Sequence, residues 1–159
     1  MANYSVTNGS TASAGTQQNM TTTYVGSLIG LTGANAAPRR VKIYDVLIGT
    51  NGTPADNFIE WDISRVTTNS TATSITPPPL DQADAVSLTT ATINSSTQGT
   101  VSVPNLFYAG INQRASYRWV AAPGGELVSP ATSSAGFQLR ARSGGYTGTA
   151  TGTIHFQEQ

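Results

Sequence analysis

Cysteine is absent from the 159 residues, histidine and lysine occur once each (His155 and Lys42), and no charged side chain precedes Arg39. Without cysteine there is no disulfide framework, no thiolate metal site and no cysteine nucleophile. With one histidine, any Ser-His-Asp arrangement or His-based metal site must use His155, and no G-x-S-x-G elbow accompanies it. Only 10% of residues are charged, against about a quarter in an average soluble domain. A surface so poor in charge is one that neighbours cover. The formal net charge is zero, so no global field draws in nucleic acid or anionic lipid. No run approaches the roughly 20 apolar residues that span a bilayer, and the N-terminus lacks both the basic and the apolar region of a secretory signal. These features predict a soluble product made in the cytoplasm, with neither nucleic acid nor membrane as partner and no cofactor.

What is present is β-forming. Thr, Val, Ile and aromatic residues recur with period two, and no window carries apolar residues at helical spacing. In Phe58 to Val66, Ile59, Trp61 and Ile63 point one way and Glu60, Asp62 and Ser64 the other, the pattern of a half-buried antiparallel strand. Val41 to Ile48, Val86 to Ile93, Gly99 to Val103, Leu106 to Ile111, Ser116 to Ala122, Phe137 to Arg142 and the alternation around Ile154 and Phe156 make about eight strands. Turns are expected at Gly49-Thr50-Asn51-Gly52 and Pro123-Gly124-Gly125, and Pro77-Pro78-Pro79 predicts an extended surface connection. This spacing predicts an all-β chain, an antiparallel two-sheet sandwich that is jelly-roll-like. Charge and clean alternation begin together at Arg39, which divides the chain into an extended N-terminal arm, residues 1–38, and a sandwich body, residues 39–159. Within the arm only Tyr24 to Leu31 is apolar enough to be a strand.

No constellation of residues predicts an enzyme. His155 lies in a terminal strand beside Thr153 and Gln157, with only Glu158 near it in sequence. Asp56, Glu60 and Asp62 form the densest carboxylate cluster, and Glu60 and Asp62 would stand about 7 Å apart on one strand face. That spacing suits a glycosidase or a hard cation, but the simpler reading is a solvated face opposite the Ile59, Trp61 and Ile63 stripe. Asp81 to Asp84 predicts a capped turn, since it lacks the spacing of a calcium loop. Trp61 and Trp119 lie on apolar faces and predict core packing, while Tyr108, Tyr117 and Tyr146 are candidates for the rim of a binding site. Of eight basic residues seven are arginine, the cation favoured at interfaces for its bidentate, stackable fork. Arg39, Arg40, Arg114, Arg118, Arg140 and Arg142, with Tyr24 and Leu28 of the arm, are therefore the candidate partner contacts. Intrachain ion pairs are the competing use for the arginines.

The stretches Asn112-Gln113-Arg114-Ala115-Ser116-Tyr117-Arg118-Trp119, Pro123-Gly124-Gly125-Glu126-Leu127, Gly136-Phe137-Gln138-Leu139-Arg140-Ala141-Arg142-Ser143 and Tyr146-Thr147-Gly148-Thr149-Ala150 resemble small virion proteins of tailed bacteriophages. The opening Met1 to Gln18 and Lys42-Ile43-Tyr44-Asp45 share that texture. The resemblance implies a non-enzymatic capsid decoration or cement protein, a homo-oligomer, trimeric by preference, on the outer surface of the virion head. Its partner would be the major capsid protein, whose capsomers it bridges. A head- or tail-fibre subunit, or a receptor- or carbohydrate-binding module using exposed tyrosines and the Asp56 to Asp62 cluster, is the alternative.

Overall fold

Side chains that alternate between apolar and polar bury one face of a strand, and the described residues form eleven strands in two antiparallel sheets facing one core. The computed structural model describes residues 1–9, 26–34, 36–51, 53, 55–143 and 148–159. Sheet A runs β1 (Asn3–Thr7), β11 (Thr149–Glu158), β3 (Val41–Asn51), β8 (Tyr117–Val120), with β9 (Leu127–Val128) sharing the β3 edge. Sheet B runs β5 (Thr71–Ile75), β6 (Thr90–Thr97), β2 (Ile29–Thr32), β10 (Gly136–Ser143), β4 (Phe58–Val66), β7 (Val101–Asn112). The chain is all-β, a two-sheet sandwich, as the alternation predicts.

The core takes Tyr4, Val6, Val41, Ile43, Val46, Ile48, Ile154 and Phe156 from sheet A, and it takes Ile29, Leu31, Trp61, Ile63, Phe137 and Leu139 from sheet B. Each fully buried Ile, Leu or Phe contributes about 1.5–3 kcal/mol relative to exposure. The sheets come close together at Gly152, where a Cβ would stand 2.5 Å from Leu139 Cδ2. A side chain there would wedge the layers apart. Tyr4 stacks on Phe156 with centroids 5.6 Å apart, and its hydroxyl donates to the Ala85 carbonyl at 3.0 Å.

Two irregularities set which side chains face outward. In β3 the pairing with β11 steps from Asp45 opposite His155 to Ile43 opposite Phe156, leaving Tyr44 as the extra residue of a bulge. The bulge resets the alternation, so Val41 and Ile43 before it and Val46 and Ile48 after it all point inward while Asp45 turns out. In β7, Phe107 pairs with Ile63 and Val103 with Arg65, so Pro104, Asn105 and Leu106 bulge out; Asn105 has φ +56°.

The division at Arg39 is corrected. Asn3–Thr7 pairs along its whole length with β11, and Ile29–Thr32 lies inside sheet B between β6 and β10. Both ends of the supposed arm are therefore built into the sandwich, because Tyr4, Val6, Leu28, Ile29 and Leu31 are buried apolar side chains with core to fill. Tyr24 lies outside the described residues. Of the turn expected at Gly49-Thr50-Asn51-Gly52, Gly49, Thr50 and Asn51 are instead the end of β3, paired with Thr151, Ala150 and Thr149, and Gly52 lies outside the described residues. The separate strands expected over 99–103 and 106–111 are one bulged strand, β7, and β5 and β9 are additions to the strands that alternation predicts. Val86 to Thr89 precede β6, with the Thr89 N–H donating to the Glu158 carboxylate at 2.8 Å. Pro78 and Leu80 hydrogen-bond through their backbones along the outer edge of β1, so the prolines form the extended connection expected of them. The Asp81 carboxylate accepts from the Ala83 N–H at 2.9 Å, which makes that segment a capped turn.

Candidate functional site

The outer face of sheet A carries the single histidine. Ser5, His155 and Asp45 stand opposite one another on β1, β11 and β3, and the Tyr44 bulge is what brings Asp45 to this face. His155 Nδ1 lies 2.9 Å from Asp45 Oδ2, and Arg118 grips the same carboxylate with Nε at 2.9 Å and Nη2 at 2.8 Å. The carboxylate near His155 is thus Asp45, not Glu158, a partner 110 residues away in sequence. The Arg118 hydrogen bonds hold the Asp45 carboxyl below its ordinary value of 3.8, outweighing burial, which raises it, and His155 adds to the lowering. A depressed pKa means that the pair stabilises the fold fully above the ordinary value and loses that contribution as pH falls through the folded value. Urea unfolding of the wild type should therefore show stability falling as pH drops below about 4. Asp45→Asn should be less stable at neutral pH and should lose less on acidification; an equal loss would remove Asp45 from this account.

The outer face of sheet B has two parts. At its centre Asp62 and Arg140 face each other across β4 and β10 and are buried, with side chains 0% and 7% exposed. Arg140 Nε donates to Asp62 Oδ2 at 2.8 Å, Ser64 Oγ donates to the same oxygen at 2.7 Å, and the Asn105 N–H donates to Oδ1 at 3.0 Å. Arg140 also donates to Gln98 at 2.7 Å, while the neighbouring Gln138 side chain accepts from the Gly99 N–H at 3.0 Å. The connection from β6 to β7 thus crosses this face and seals it. Asp62 is not part of a solvated face, and Arg140 is spent on a buried pair within the chain.

Towards the end of the same face the side chains reach solvent. Glu60 pairs with Arg142 across the strands and accepts a hydrogen bond from the Tyr108 hydroxyl. The Tyr108 bond, with help from Arg142, holds the Glu60 carboxyl low, and the same bond pushes the Tyr108 phenol up. Phe58 lies one step beyond Glu60 on the outward side of β4, and Gly110 stands opposite Glu60 on β7.

The other expected contacts divide in the same way. Arg114 pairs with Asp56 at 2.9 Å in an exposed pair, and Lys42 pairs with Glu126 at 3.1 Å. Leu28 is core. Arg39 and Arg40 are exposed, and the Arg40 backbone pairs with Gln159. Four arginines expected as partner contacts, Arg114, Arg118, Arg140 and Arg142, hold intrachain ion pairs. Trp61 is buried as expected, Trp119 packs against the core edge, and Tyr146 lies outside the described residues.

Two open strand edges meet on one side of the sandwich. The outer edges of β7 and β8, like that of β5 at the far end of sheet B, have no strand beside them among the described residues, whereas the outer edge of β1 is covered by residues 78–80. Phe107 of β7 stacks on Tyr117 of β8 and meets Trp119 at a tilt, with centroids 6.1 and 6.0 Å away, and closes the mouth between the sheets. Val103, Tyr117 and Val120 leave much of their surface exposed along these two strands. A shallow cleft of about 350 Å³, lined by Gly49, Thr50, Ser116, Thr151 and Thr153 among others, opens at the adjoining end of sheet A.

Among the described residues no three of His, Asp and Glu come together as a metal site, and no helix is long and apolar enough to cross a membrane. No protein-family model matches the chain, and no curated protein matches it in sequence.

Proposed function

We propose that this protein is a non-enzymatic virion structural subunit, a decoration or cement protein that binds the outer surface of a phage head as a homo-oligomer, by preference a trimer, and bridges capsomers of the major capsid protein. The observation that carries this reading is the β7 and β8 side. Two strand edges that no described strand pairs with, and that carry exposed apolar side chains, invite pairing or packing with another chain. On a chain with 10% charged residues, little like-charge repulsion opposes such contact. The Pro104 and Asn105 bulge limits continuous strand addition along β7, which favours a defined contact over open-ended sheet growth.

Co-sedimentation with capsids lacking the protein, together with the mass of the free species, tests this reading. Saturable binding and an oligomeric free form are expected. Val103→Lys and Val120→Lys, at residues 42% and 58% exposed, should together weaken capsid binding or oligomer formation at least tenfold while leaving the melting temperature nearly unchanged, since exposed substitutions usually fall within about 0.5 kcal/mol. A stable monomer that ignores capsids would refute the proposal.

A further inference from the structure

We propose that the outer face of sheet B carries a second function: a binding platform for neutral pyranose sugars, formed by Phe58, Glu60, Tyr108 and Arg142 around Gly110. The platform is independent of shell attachment and does not rest on it. Phe58 is 56% exposed and Tyr108 50% exposed, although a ring has more to gain from burial than most side chains. Both rings stand on the outward side of the sheet, Phe58 in the row of Asn112 and Tyr108 in the row of Asp62. Those rows are about 13 Å apart by strand rise. Between them lies the row of Glu60, Gly110 and Arg142.

At that midpoint β7 carries no side chain. A Cβ on Gly110 would meet no atom of the described residues within 4 Å, so there is room beside the ion pair. The chemistry on offer there is mixed and charge-balanced. Glu60 presents acceptor oxygens and Arg142 a planar fork of donors, which together match hydroxyl groups that both donate and accept. Because Arg142 compensates Glu60, the pair favours neither an anionic nor a cationic ligand. The rings on either side offer apolar faces on which the C–H face of a pyranose can lie. Tyr108 is held in place by its hydroxyl bond to Glu60, so less side-chain entropy is lost on binding.

Gly110 makes a clean test possible. It lies in a strand with no positive φ, so Gly110→Val fills the open space without backbone strain and suits the local β geometry. The experiment is an array of neutral and acidic oligosaccharides probed with the full-length wild type, Tyr108→Ala and Gly110→Val, with melting temperatures measured alongside. The expected result is selective signal on neutral oligosaccharides, reduced at least tenfold by each variant, with the melting temperature of Gly110→Val equal to or above that of the wild type. No selective signal, a preference for acidic glycans, or a signal that either variant leaves intact overturns the proposal. Capsid co-sedimentation of Gly110→Val separates the two functions: it should be unchanged, and its loss together with a silent array would assign this face to shell contact instead.

Discussion

Asp62→Ala is expected to cost about 3–5 kcal/mol of stability, because it leaves the Arg140 guanidinium buried without its counter-charge. Arg140→Ala should cost a similar amount for the opposite reason, since the buried Asp62 carboxylate would be left with the neutral donors Ser64 Oγ and the Asn105 N–H in place of a cation. The double replacement Asp62→Leu with Arg140→Met should be far less harmful than the sum of the single changes. Removing both charges also removes the desolvation that their pairing offsets, and apolar pairs of similar volume are often neutral or stabilising. Urea unfolding of the four proteins forms a double-mutant cycle that measures the coupling. Additive single effects of less than about 1 kcal/mol would place the pair among solvated surface ion pairs. Proteolysis around residues 98–105 should accelerate in the single variants, because Gln98 ties the connection, and Asn105 the bulge of β7, to this pair.

Deletion of residues 2–30 is expected to unfold the protein outright. The deletion removes β1 and the first half of β2, and with them Tyr4, Val6, Leu28 and Ile29 of the core. Large-to-small changes at single core positions already cost about 2–5 kcal/mol each, and a typical domain has only about 5–15 kcal/mol in all. The loss is also one of hydrogen bonding, since β2 is paired on both sides and its removal orphans backbone groups of β6 and β10. Asn8 is a further anchor: fully buried, it donates to the Ala150 carbonyl at 3.0 Å and accepts from the Gly152 N–H at 2.6 Å. Circular dichroism and thermal melting of the truncated chain decide the matter. A cooperative transition near that of the wild type would mean that residues 31–159 fold alone and that β1 and the first half of β2 are dispensable.

Strands whose alternation is unbroken are legible in the amino-acid sequence. Ile59, Trp61 and Ile63 point into the core, and so do Phe137, Leu139, Ile154 and Phe156, since period-two patterning and the side of burial are the same fact in a pleated strand. The segment Val41 to Ile48 shows where that reasoning stops. Lys42 and Asp45 both face outward, and no single phase of a period-two pattern allows this, so a bulge is required; its place at Tyr44 depends on how β11 pairs. Leu28 and Ile29 read as part of an arm because a local window shows only four or five apolar residues beside a long polar run. Their burial comes from strands more than 60 positions away.

The candidate sites divide along the same line. Tyr108 and Glu60 stand out in the sequence as residue types, but Phe58, Gly110 and Asp45 carry no local signal of a site. Phe58 looks like any other strand aromatic, Gly110 like a weak spot in a strand, and Asp45 like a solvated carboxylate. Arg140 and Asp62 look like surface charges, and only the crossing connection from β6 to β7 buries them.

Composition and periodicity are enough to establish the all-β class, the inward stripe of each regular strand, the absence of thiol chemistry and the scarcity of charge. They suffice because any paired strand must obey the same alternation, whatever its neighbours. The strand order of the two sheets, the inclusion of residues 3–7 and 29–32 in the sandwich, the partners of Arg118, Arg140 and Arg142, and the open side formed by β7 and β8 come from the three-dimensional arrangement alone. Each of these depends on pairing between distant segments, which is chosen by the whole set of strands competing for one core and cannot be read from any one of them.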